Sequence, residues 1–403
     1  MKLFINKSVA SFWRPKLFHY PKNMSSEADI AAALEHRLLG DEATVEKLLL
    51  DCEVEREKDQ YSSRELGWYS YDRGYPWDPR KANRTSDENF HILQQKISQL
   101  SGSKLRLVRL NLKMESSNDD ASNSEINFGI VAQCNITRNT IIWQEKVFLH
   151  VNSRLTERCD NCNKRITDEN KFICEISNCN EIFCNAKCYQ EALKTFHKPL
   201  CGKDLTPILQ LVQEGRSSTS LFPLFVLKLF AIAKQRDICP LDIEEIKHLA
   251  RDKPLSGSMC LPEPLIFIHQ KAQEILDIPM GDLRFDFWIF LTCYSMAVPN
   301  TFTRRHQKRP DVLSVFSLTS LINHECRPNA SVNGEQLIAI KRVKKNEPVT
   351  ISYIGEEDSS YQNRQAMLHL WGFECNCWFC LAQKDKPTVM SRMLEGKMRI
   401  LML

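Results

Sequence analysis

The chain has 403 residues and a formal net charge of +4, which is too small to indicate nucleic-acid binding by the chain as a whole. This length allows two or three packed units with cores of their own. The longest apolar run, residues 221–233, is far short of the ~20 residues that span a membrane, so it predicts a buried helix. No secretory signal pattern is present, and the 16 cysteines therefore indicate metal ligands more than disulfides.

The first 26 residues contain several basic side chains and no acid. This bias is typical of a mitochondrial presequence, but the segment is poor in serine and is interrupted by Pro15 and Pro21. A basic leader without regular structure, or a true start at Met24, explains the pattern at least as well. We therefore expect the nucleus, the cytoplasm or both, and favour them over mitochondria.

Residues 27–125 predict a helical extension that ends in a linker. Ser26 and Asp29 form a capping-box pattern, apolar residues follow at helical spacing, and residues 90–100 predict a further helix. The segment 115–125, with the sequence ESSNDDASNSE, is polar throughout and predicts a linker or loop.

From residue 126 onward the pattern alternates between strands and helices. Short strands are predicted at residues 130–132, 140–143 and 147–149, and residues 205–298 are mostly helical in pattern. Strands return with a hairpin at Asn333-Gly334 and a strand at 349–353. We predict an α+β fold in which the two strand blocks form one domain and the middle region is inserted.

A cysteine-rich block at residues 159–201 contains four closely spaced ligand pairs. Such spacings place two ligand atoms on one zinc ion, and pairs that alternate along the chain predict a cross-braced module. One ion is expected at Cys159, Cys162, Cys184 and Cys188, and the other at Cys174, Cys179, His197 and Cys201. Four protein ligands leave no open position, which predicts structural rather than catalytic zinc.

A second group of cysteines lies near the end of the chain. Cys326, Cys375, Cys377 and Cys380 supply the four thiols of a third zinc site. A shared ion would hold the Asn323-His324 dipeptide beside the last cysteines. The other five cysteines are expected to be small core residues without a functional role: Cys52, Cys134, Cys239, Cys260 and Cys293.

Three motifs in order resemble a known family. The block 159–201 resembles a MYND zinc finger, whereas residues 320–329 (SLINHECRPN), 351–353 (ISY) and 372–380 (GFECNCWFC) resemble the SET and post-SET motifs of lysine methyltransferases. Their order is that of the SET-and-MYND (SMYD-like) family, and the resemblance covers residues 126–382. Residues 27–120 have no counterpart, and the family's helical C-terminal repeats are absent, which implies a more open substrate cleft.

The resemblance implies a SET-domain β-fold with a C-terminal pseudoknot. The expected segments are a basic leader, a helical N-terminal extension, an N-terminal SET part, an inserted cross-braced MYND finger, a helical SET insertion, a SET core, a post-SET zinc motif and a C-terminal tail. Their boundaries are residues 1–26, 27–125, 126–156, 157–201, 202–298, 299–354, 355–382 and 383–403.

The resemblance also implies roles for single residues. Contacts with S-adenosylmethionine are expected from Asn127, Phe128, Gly129, Asn300, Asn323, His324 and Phe373. A channel for the substrate lysine is expected from Phe302, Tyr353 and Trp371, with the hydroxyl of Tyr353 as the catalytic group. Taken alone, these aromatic side chains and His324 are typical core residues, and only their spacing from the cysteines favours function.

The sequence departs from the family pattern at two of these positions. Asn127 replaces the first glycine of a Gly-x-Gly strand, which is tolerable if the backbone there is not restricted to glycine. Trp371 replaces a frequent second channel tyrosine, so one hydroxyl is lost and bulk is gained, which implies either a narrower channel or a change in the number of methyl groups added. Because of these two departures, a weakened enzyme remains an alternative interpretation.

Our main hypothesis is a monomeric protein-lysine N-methyltransferase that uses S-adenosylmethionine, carries three structural zinc ions and acts on histone or other protein lysines. The alternative is a scaffold of weak or no activity, whose MYND finger binds proline-containing peptides. A third hypothesis is a metal sensor that uses the thiols. Closed sites with four protein ligands argue against this function. Direct nucleic-acid binding and membrane association are not expected.

Five residues form a basic run, which predicts a solvated loop or a docking edge for an acidic partner: Arg304, Arg305, His306, Lys308 and Arg309.

Overall fold

The computed structural model describes residues 84–112, 125–176, 178–179, 181–215, 218–250, 263–279, 281–307, 309–354, 360–368, 371 and 373–384. These residues divide into two compact units. The central unit contains residues 147–315, and the flanking unit contains residues 85–146 together with the chain from residue 316 onward. The predictions for the basic leader, the capping box, most of the linker and the C-terminal tail lie outside the described residues, as do Cys52 and Cys260.

The first part of the flanking unit contains one helix and three strands. These are α1 (Asp87–Ser101), β1 (Leu105–Leu112), β2 (Glu125–Ala132) and β3 (Ile141–Gln144). Helix α1 begins at Ser86, whose hydroxyl accepts a hydrogen bond from the backbone N–H of Asn89, and ends at Gly102 with φ of +57°. The helix predicted at 90–100 is therefore present and longer at its N-terminal end.

Strand β1 corrects the prediction of a purely helical extension over residues 27–125. It pairs antiparallel with β2, so that Val108 lies opposite Gly129. Its first three residues, Leu105, Arg106 and Leu107, alternate apolar and polar side chains, and both leucines are buried whereas Arg106 is exposed. This alternation is the period of a half-buried strand and was a signal that the sequence carried.

The central unit contains six helices and five strands among its described residues. The strands are β4 (Leu149–Asn152), β5 (Phe172–Ile173), β6 (Ile182–Phe183), β7 (Thr301–His306) and β8 (Arg309–Val315). The helices are α2 (Ala186–Thr195), α3 (His197–Leu200), α4 (Thr206–Glu214), α5 (Phe222–Arg236), α6 (Glu263–Ile275) and α7 (Phe287–Asn300). Short 3-10 turns lie at Asp168–Asn170, Ser218–Leu221, Pro240–Asp242 and Leu283–Phe285.

Helix α5 forms the core of the central unit. Residues 222–233 are all buried, which confirms the buried helix predicted from the apolar run. A three-stranded antiparallel sheet has the order β4-β8-β7, and strands β5 and β6 form a separate hairpin. Strand β4 begins at Leu149, opposite Val315, two residues later than predicted. Among the described helices, none has both the length and the apolar character needed to cross a membrane.

The last part of the flanking unit holds the second strand block. It contains β9 (Asn323–His324), β10 (Ala330–Asn333), β11 (Gln336–Ala339), β12 (Thr350–Ile351), α8 (Tyr361–Leu368) and α9 (Trp378–Lys384). The predicted hairpin is β10–β11, which also pairs with β3. Its turn consists of Gly334, with φ of +60°, and Glu335, so the positive φ falls on the glycine.

Strands β9 and β12 form a short parallel pair. Asn323 lies opposite Thr350, and His324 lies opposite Ile351. The predicted strand 349–353 is therefore shorter than expected. The mixture of helices and strands is as predicted. The strands, however, are shared between units: β4, β7 and β8 belong to the central unit, whereas β1–β3 and β9–β12 belong to the flanking unit.

Candidate active site and metal centres

Asn323 lies on strand β9, and its side chain is hydrogen-bonded to the backbone of strand β2. The side-chain amide of Asn323 donates a hydrogen bond to the backbone oxygen of Phe128 at 2.9 Å. The ring of Phe128 is buried and lies 6.3 Å from the ring of Phe90 on α1, so only its backbone can contact a ligand. At Gly129 an added Cβ would lie 2.8 Å from Leu110 Cδ1 and 3.4 Å from Asn323 Nδ2, so a larger residue here would displace the Leu110 side chain.

Asn127 replaces a glycine without backbone strain. It is not among the described residues that have a positive φ, and its side-chain oxygen accepts a hydrogen bond from the backbone N–H of Phe128 at 2.9 Å. The backbone at this position is thus open to any L-residue. The departure from the Gly-x-Gly pattern therefore gives no reason to expect a distorted strand.

The imidazole of His324 links Tyr353 to Cys326. Its Nδ1 accepts a hydrogen bond from the backbone N–H of Tyr353 at 3.0 Å, and its Nε2 lies 3.3 Å from the sulfur of Cys326. A backbone N–H can only donate, so Nδ1 carries no proton and the neutral ring carries its hydrogen on Nε2, facing the sulfur. Burial and, secondly, the positive charge of Arg364 lower the pKa of His324 to about 4, which keeps the ring neutral near pH 7.

The phenol of Tyr353 lies among aromatic rings. Its hydroxyl donates to the backbone oxygen of Ile322 at 2.8 Å. Ring centroids of His324, Trp371 and Phe373 lie 5.2, 5.8 and 6.3 Å from the ring of Tyr353. Burial raises the pKa of Tyr353 above its usual range, so the hydroxyl stays protonated at neutral pH. The flanking unit therefore brings together four of the residues that the sequence assigned to the cofactor or the channel.

The four C-terminal cysteines form one cluster in the flanking unit. Their sulfur atoms lie within 4.8 Å of one another: Cys326, Cys375, Cys377 and Cys380. The sulfur of Cys326 is 3.8 Å from that of Cys375 and 3.4 Å from that of Cys380. A zinc ion with Zn–S bonds of about 2.3 Å requires S–S separations of about 3.8 Å in a tetrahedron. The donor set and its spacing thus fit a structural zinc ion.

Helix α8 holds this cluster through two residues that the sequence analysis missed. Arg364 is 3% exposed, and its guanidinium donates to the sulfur of Cys380 at 3.7 Å and to the side-chain oxygen of Gln383 at 2.8 Å. Gln365 donates to the backbone oxygen of Cys375 at 2.8 Å and accepts from its N–H at 2.9 Å. Neither residue carried a sequence signal, because Arg and Gln on a short helix usually face solvent.

Two further polar residues position the segment around Asn323. The buried carboxylate of Glu145 accepts hydrogen bonds from the backbone N–H groups of Leu318 and Thr319, both at 2.7 Å, and from the hydroxyl of Thr319 at 2.6 Å. Asn329 donates to the backbone oxygen of Pro348 at 2.8 Å and accepts from Thr350 N–H at 3.0 Å. Asn329 therefore anchors β12, which pairs with β9. It lies in the quoted SET motif but was given no role there.

The central unit contains two more clusters, grouped as the alternating pairs predict. One consists of Cys159, Cys162, Cys184 and Cys188, and the other of Cys174, Cys179, His197 and Cys201. The ligand atoms of each cluster lie within 4.8 Å of one another, and the nearest pairs are separated by 3.5–3.7 Å. These cysteines are free thiols and not disulfides. Each cluster therefore could hold one zinc ion, which makes three candidate sites in the described chain.

A buried ion pair fixes the cysteine-rich module to helix α5. Lys228 donates to the carboxylate of Asp160 at 2.8 Å and to the backbone oxygens of Asp160 and His150, both at 3.1 Å. Its ammonium also lies 4.3 Å from the centre of the Phe196 ring. Both charged side chains are under 10% exposed, so the pair is shielded from solvent. The carboxyl group of Glu181 lies in the same region. Its burial, and to a smaller extent the negative charge of Asp160, raise its pKa to about 7.

Two predicted site residues belong to the central unit. Asn300 ends α7 and donates to the backbone oxygens of Met296 and Ala250, both at 2.7 Å. Phe302 is half-buried on β7 and lies opposite Ser314 on β8. Strand β7 also carries most of the basic run as exposed side chains, and Arg304 lies 3.5 Å from the buried carboxylate of Asp311.

The described residues form a mixed helix–strand fold with three clusters of cysteine and histidine side chains that could each hold a metal ion. Residues 127–354, more than half of the chain, match the model of the SET domain. The chain therefore belongs to the SET domain family.

Individual relatives agree with this assignment. Histone-lysine N-methyltransferase ASHR1 from Arabidopsis thaliana is 25% identical over 271 residues, which is 64% of this chain and 53% of that protein. SET and MYND domain-containing protein DDB_G0292454 from Dictyostelium discoideum is 23% identical over 269 residues, which is 60% of this chain and 77% of that protein. The predicted resemblance to SET-and-MYND proteins is thereby confirmed.

A solved structure, the SET domain of LSMT bound to lysine and AdoHcy, covers 72% of this chain and 58% of that chain at 16% identity, with a TM-score of 0.30. A similarity at this level supports no argument about the present chain. The chain also spans only about half of the length of ASHR1. Activity, substrate and partners are therefore argued from the site itself.

Proposed function

We propose that this chain is a protein-lysine N-methyltransferase that uses S-adenosylmethionine and holds three structural zinc ions. The observation that carries the proposal is the link from the Cys326 sulfur through His324 to Tyr353, within a member of the SET domain family. ASHR1 is named a histone-lysine N-methyltransferase, which supports a lysine of a histone or another protein as the methyl acceptor.

Tyr353 is the residue proposed to hold the reacting amine. Bound S-adenosylmethionine would supply an electrophilic methyl group, and the transfer needs alignment more than acid or base strength. The only hydroxyl hydrogen of Tyr353 is donated to the oxygen of Ile322, so the lone pairs of the hydroxyl are available to accept an N–H of lysine. The buried, protonated phenol is therefore suited to orient the amine.

Aromatic side chains beside Tyr353 would keep the amine neutral. Trp371 and Phe373 each lie against the ring of Tyr353. Burial among such rings disfavours the charged ammonium and lowers the pKa of a lysine placed there. A neutral amine is the form that can attack the methyl group.

The cofactor contacts are proposed at strand β2 and strand β9. Gly129 carries no side chain and lies beside the amide of Asn323, which supports close approach of a ligand to the backbone there. Phe373, whose ring lies 6.1 Å from that of His324, is proposed to pack on the adenine. The roles of Asn300 at the cofactor and Phe302 in the channel remain predictions from the resemblance.

We further propose that residues 157–201 are a MYND finger and that the β9–β12 segment is the SET pseudoknot. The cross-braced ligand groups support the first assignment, and the parallel pairing of Asn323 with Thr350 supports the second. Domain boundaries and proline-peptide binding by the finger also remain predictions. The inactive-scaffold alternative is not favoured, because Asn127 introduces no positive φ and the relative ASHR1 is named as an enzyme.

Calorimetry with S-adenosylmethionine, followed by transfer of labelled methyl to a cell extract, tests the proposal. We expect saturable cofactor binding and labelled protein. His324→Ala should lose both while the protein still contains three zinc ions. No binding at high cofactor concentration would favour the scaffold.

A further inference from the structure

A buried guanidinium lies against the third zinc site. Arg364 is 3% exposed, and its Nη2 donates to the sulfur of Cys380 at 3.7 Å. Its other partners include the amide oxygen of Gln383 at 2.8 Å and the ring of Phe379, whose centre is 4.5 Å from the guanidinium carbon. A cation in such a place is costly unless a negative charge compensates it.

The cysteine cluster would supply that negative charge when it holds zinc. Four thiolates and one Zn²⁺ carry a formal charge of about −2, because a coordinating thiol is deprotonated. A neutral hydrogen-bond donor, His324 Nε2–H, faces Cys326, whereas Arg364 brings a full positive charge to Cys380.

We propose that Arg364 is the buried counter-cation of the Cys326–Cys375–Cys377–Cys380 zinc site and a positioning residue for helix α9, which carries Cys380. The inference rests on the proposed zinc ion but not on methyltransferase activity. Hydrogen bonds to metal-bound ligands commonly change metal affinity by about 10–100-fold. Arg364 would thereby keep helix α9, which carries Cys380, attached to helix α8.

The chain offers a matched control for the charge. Arg327 also lies on the Phe379 ring, with its guanidinium carbon 4.4 Å from the ring centre, but its side chain is exposed. Arg327→Met removes an exposed cation from the same ring, whereas Arg364→Met removes the buried cation beside the sulfur. Arg364→Lys keeps the positive charge and loses the planar fork.

The test is native mass spectrometry of the full chain in buffers of fixed free zinc concentration. We expect the wild type and Arg327→Met to bind three zinc ions. The affinity of Arg364→Met for the third zinc ion should be about 10–100-fold lower than that of the wild type. Arg364→Lys should recover most of the affinity. Equal affinity of Arg364→Met and the wild type would overturn the proposal, as would an Arg364→Lys protein as weak as Arg364→Met.

Two outcomes separate this proposal from the proposed zinc content. A wild type that binds fewer than three ions would refute the third zinc site itself, and Arg364 would lose its role with it. If Arg364→Met does not fold, Arg364→Lys decides alone. Retention of the third ion supports the charge role, and its loss from a folded Arg364→Lys protein contradicts it.

Discussion

The Nδ1 atom of His324 accepts a hydrogen bond from the backbone N–H of Tyr353 at 3.0 Å, although 29 positions separate the two residues. The parallel pairing of β9 with β12 brings the two segments together. Since the other ring nitrogen faces Cys326, the orientation of the ring ties the metal cluster to the position of Tyr353.

Two amide substitutions at His324 separate these contacts. In His324→Asn the side-chain oxygen can replace Nδ1 as acceptor for Tyr353, whereas in His324→Gln the amide can replace Nε2 as donor to Cys326. We expect faster methyl transfer by His324→Asn, because it keeps the contact that positions Tyr353. A lost hydrogen bond of about 1 kcal/mol corresponds to a severalfold difference in rate. Steady-state kinetics on both variants provides the measurement, and the reverse order would contradict the role assigned to Nδ1.

Zinc content tests the cysteine groups directly. Elemental analysis of the purified chain should give three zinc ions, and Cys326→Ser should give two, because one of four ligands is removed. Cys134→Ser serves as the control, since Cys134 is an exposed free cysteine outside all three clusters. A wild-type value near two would break the assignment of Cys326.

The buried Lys228–Asp160 pair predicts a large stability effect. Lys228→Met leaves the Asp160 carboxylate buried without its cation, so the free energy of unfolding should fall by about 3–5 kcal/mol. Lys271→Met removes an exposed pair with Glu274 from the same unit and should cost less than about 1 kcal/mol. Urea denaturation at fixed zinc concentration measures both values. Equal losses would show that the buried pair contributes no more than a surface pair.

Glu145 predicts a pH dependence of stability. Burial raises its pKa above the ordinary value of 4.5, and this outweighs the hydrogen bonds from Thr319 and Leu318 that lower it. In the pH range just above 4.5 the folded chain therefore holds a proton that the unfolded chain has lost. The contribution of Glu145 to the free energy of unfolding should thus fall as pH rises through this range.

The measurement is the slope of unfolding free energy against pH from about 4 to 7, compared between wild type and Glu145→Gln. The wild-type slope should be more negative than that of Glu145→Gln, which cannot titrate. Absolute stability is not the criterion, because a glutamine cannot accept all the hydrogen bonds that reach this carboxylate. Parallel curves would contradict the raised pKa.

The three candidate metal clusters were the most predictable part of the molecule. Paired spacings such as Cys159-x2-Cys162 are local, and their alternation along the chain predicts which pairs lie in one cluster. The buried helix at residues 222–233 was equally clear from its composition. These features depend on short stretches of sequence, and a pattern within a stretch is enough to find them.

Features that depend on distant partners were missed. Strand β1 alternates only over its first three residues, the polar segment that follows it suggested only a linker, and its partner β2 lies beyond that segment. Arg364 resembles a solvent-facing residue until the fold places Cys380 beside it. The division of the strands between two units depends on which strands pair, and no local pattern contains that information.

The most direct test of the central claim is analysis of the reaction product formed from labelled S-adenosylmethionine. We expect labelled Nε-methyl-lysine in protein incubated with the wild type. Tyr353→Phe, which keeps the ring but removes the hydroxyl bound to Ile322, should reduce transfer by about 10²–10³-fold while still holding three zinc ions. Wild-type levels of labelled methyl-lysine from Tyr353→Phe, or label absent from lysine altogether, would contradict the account.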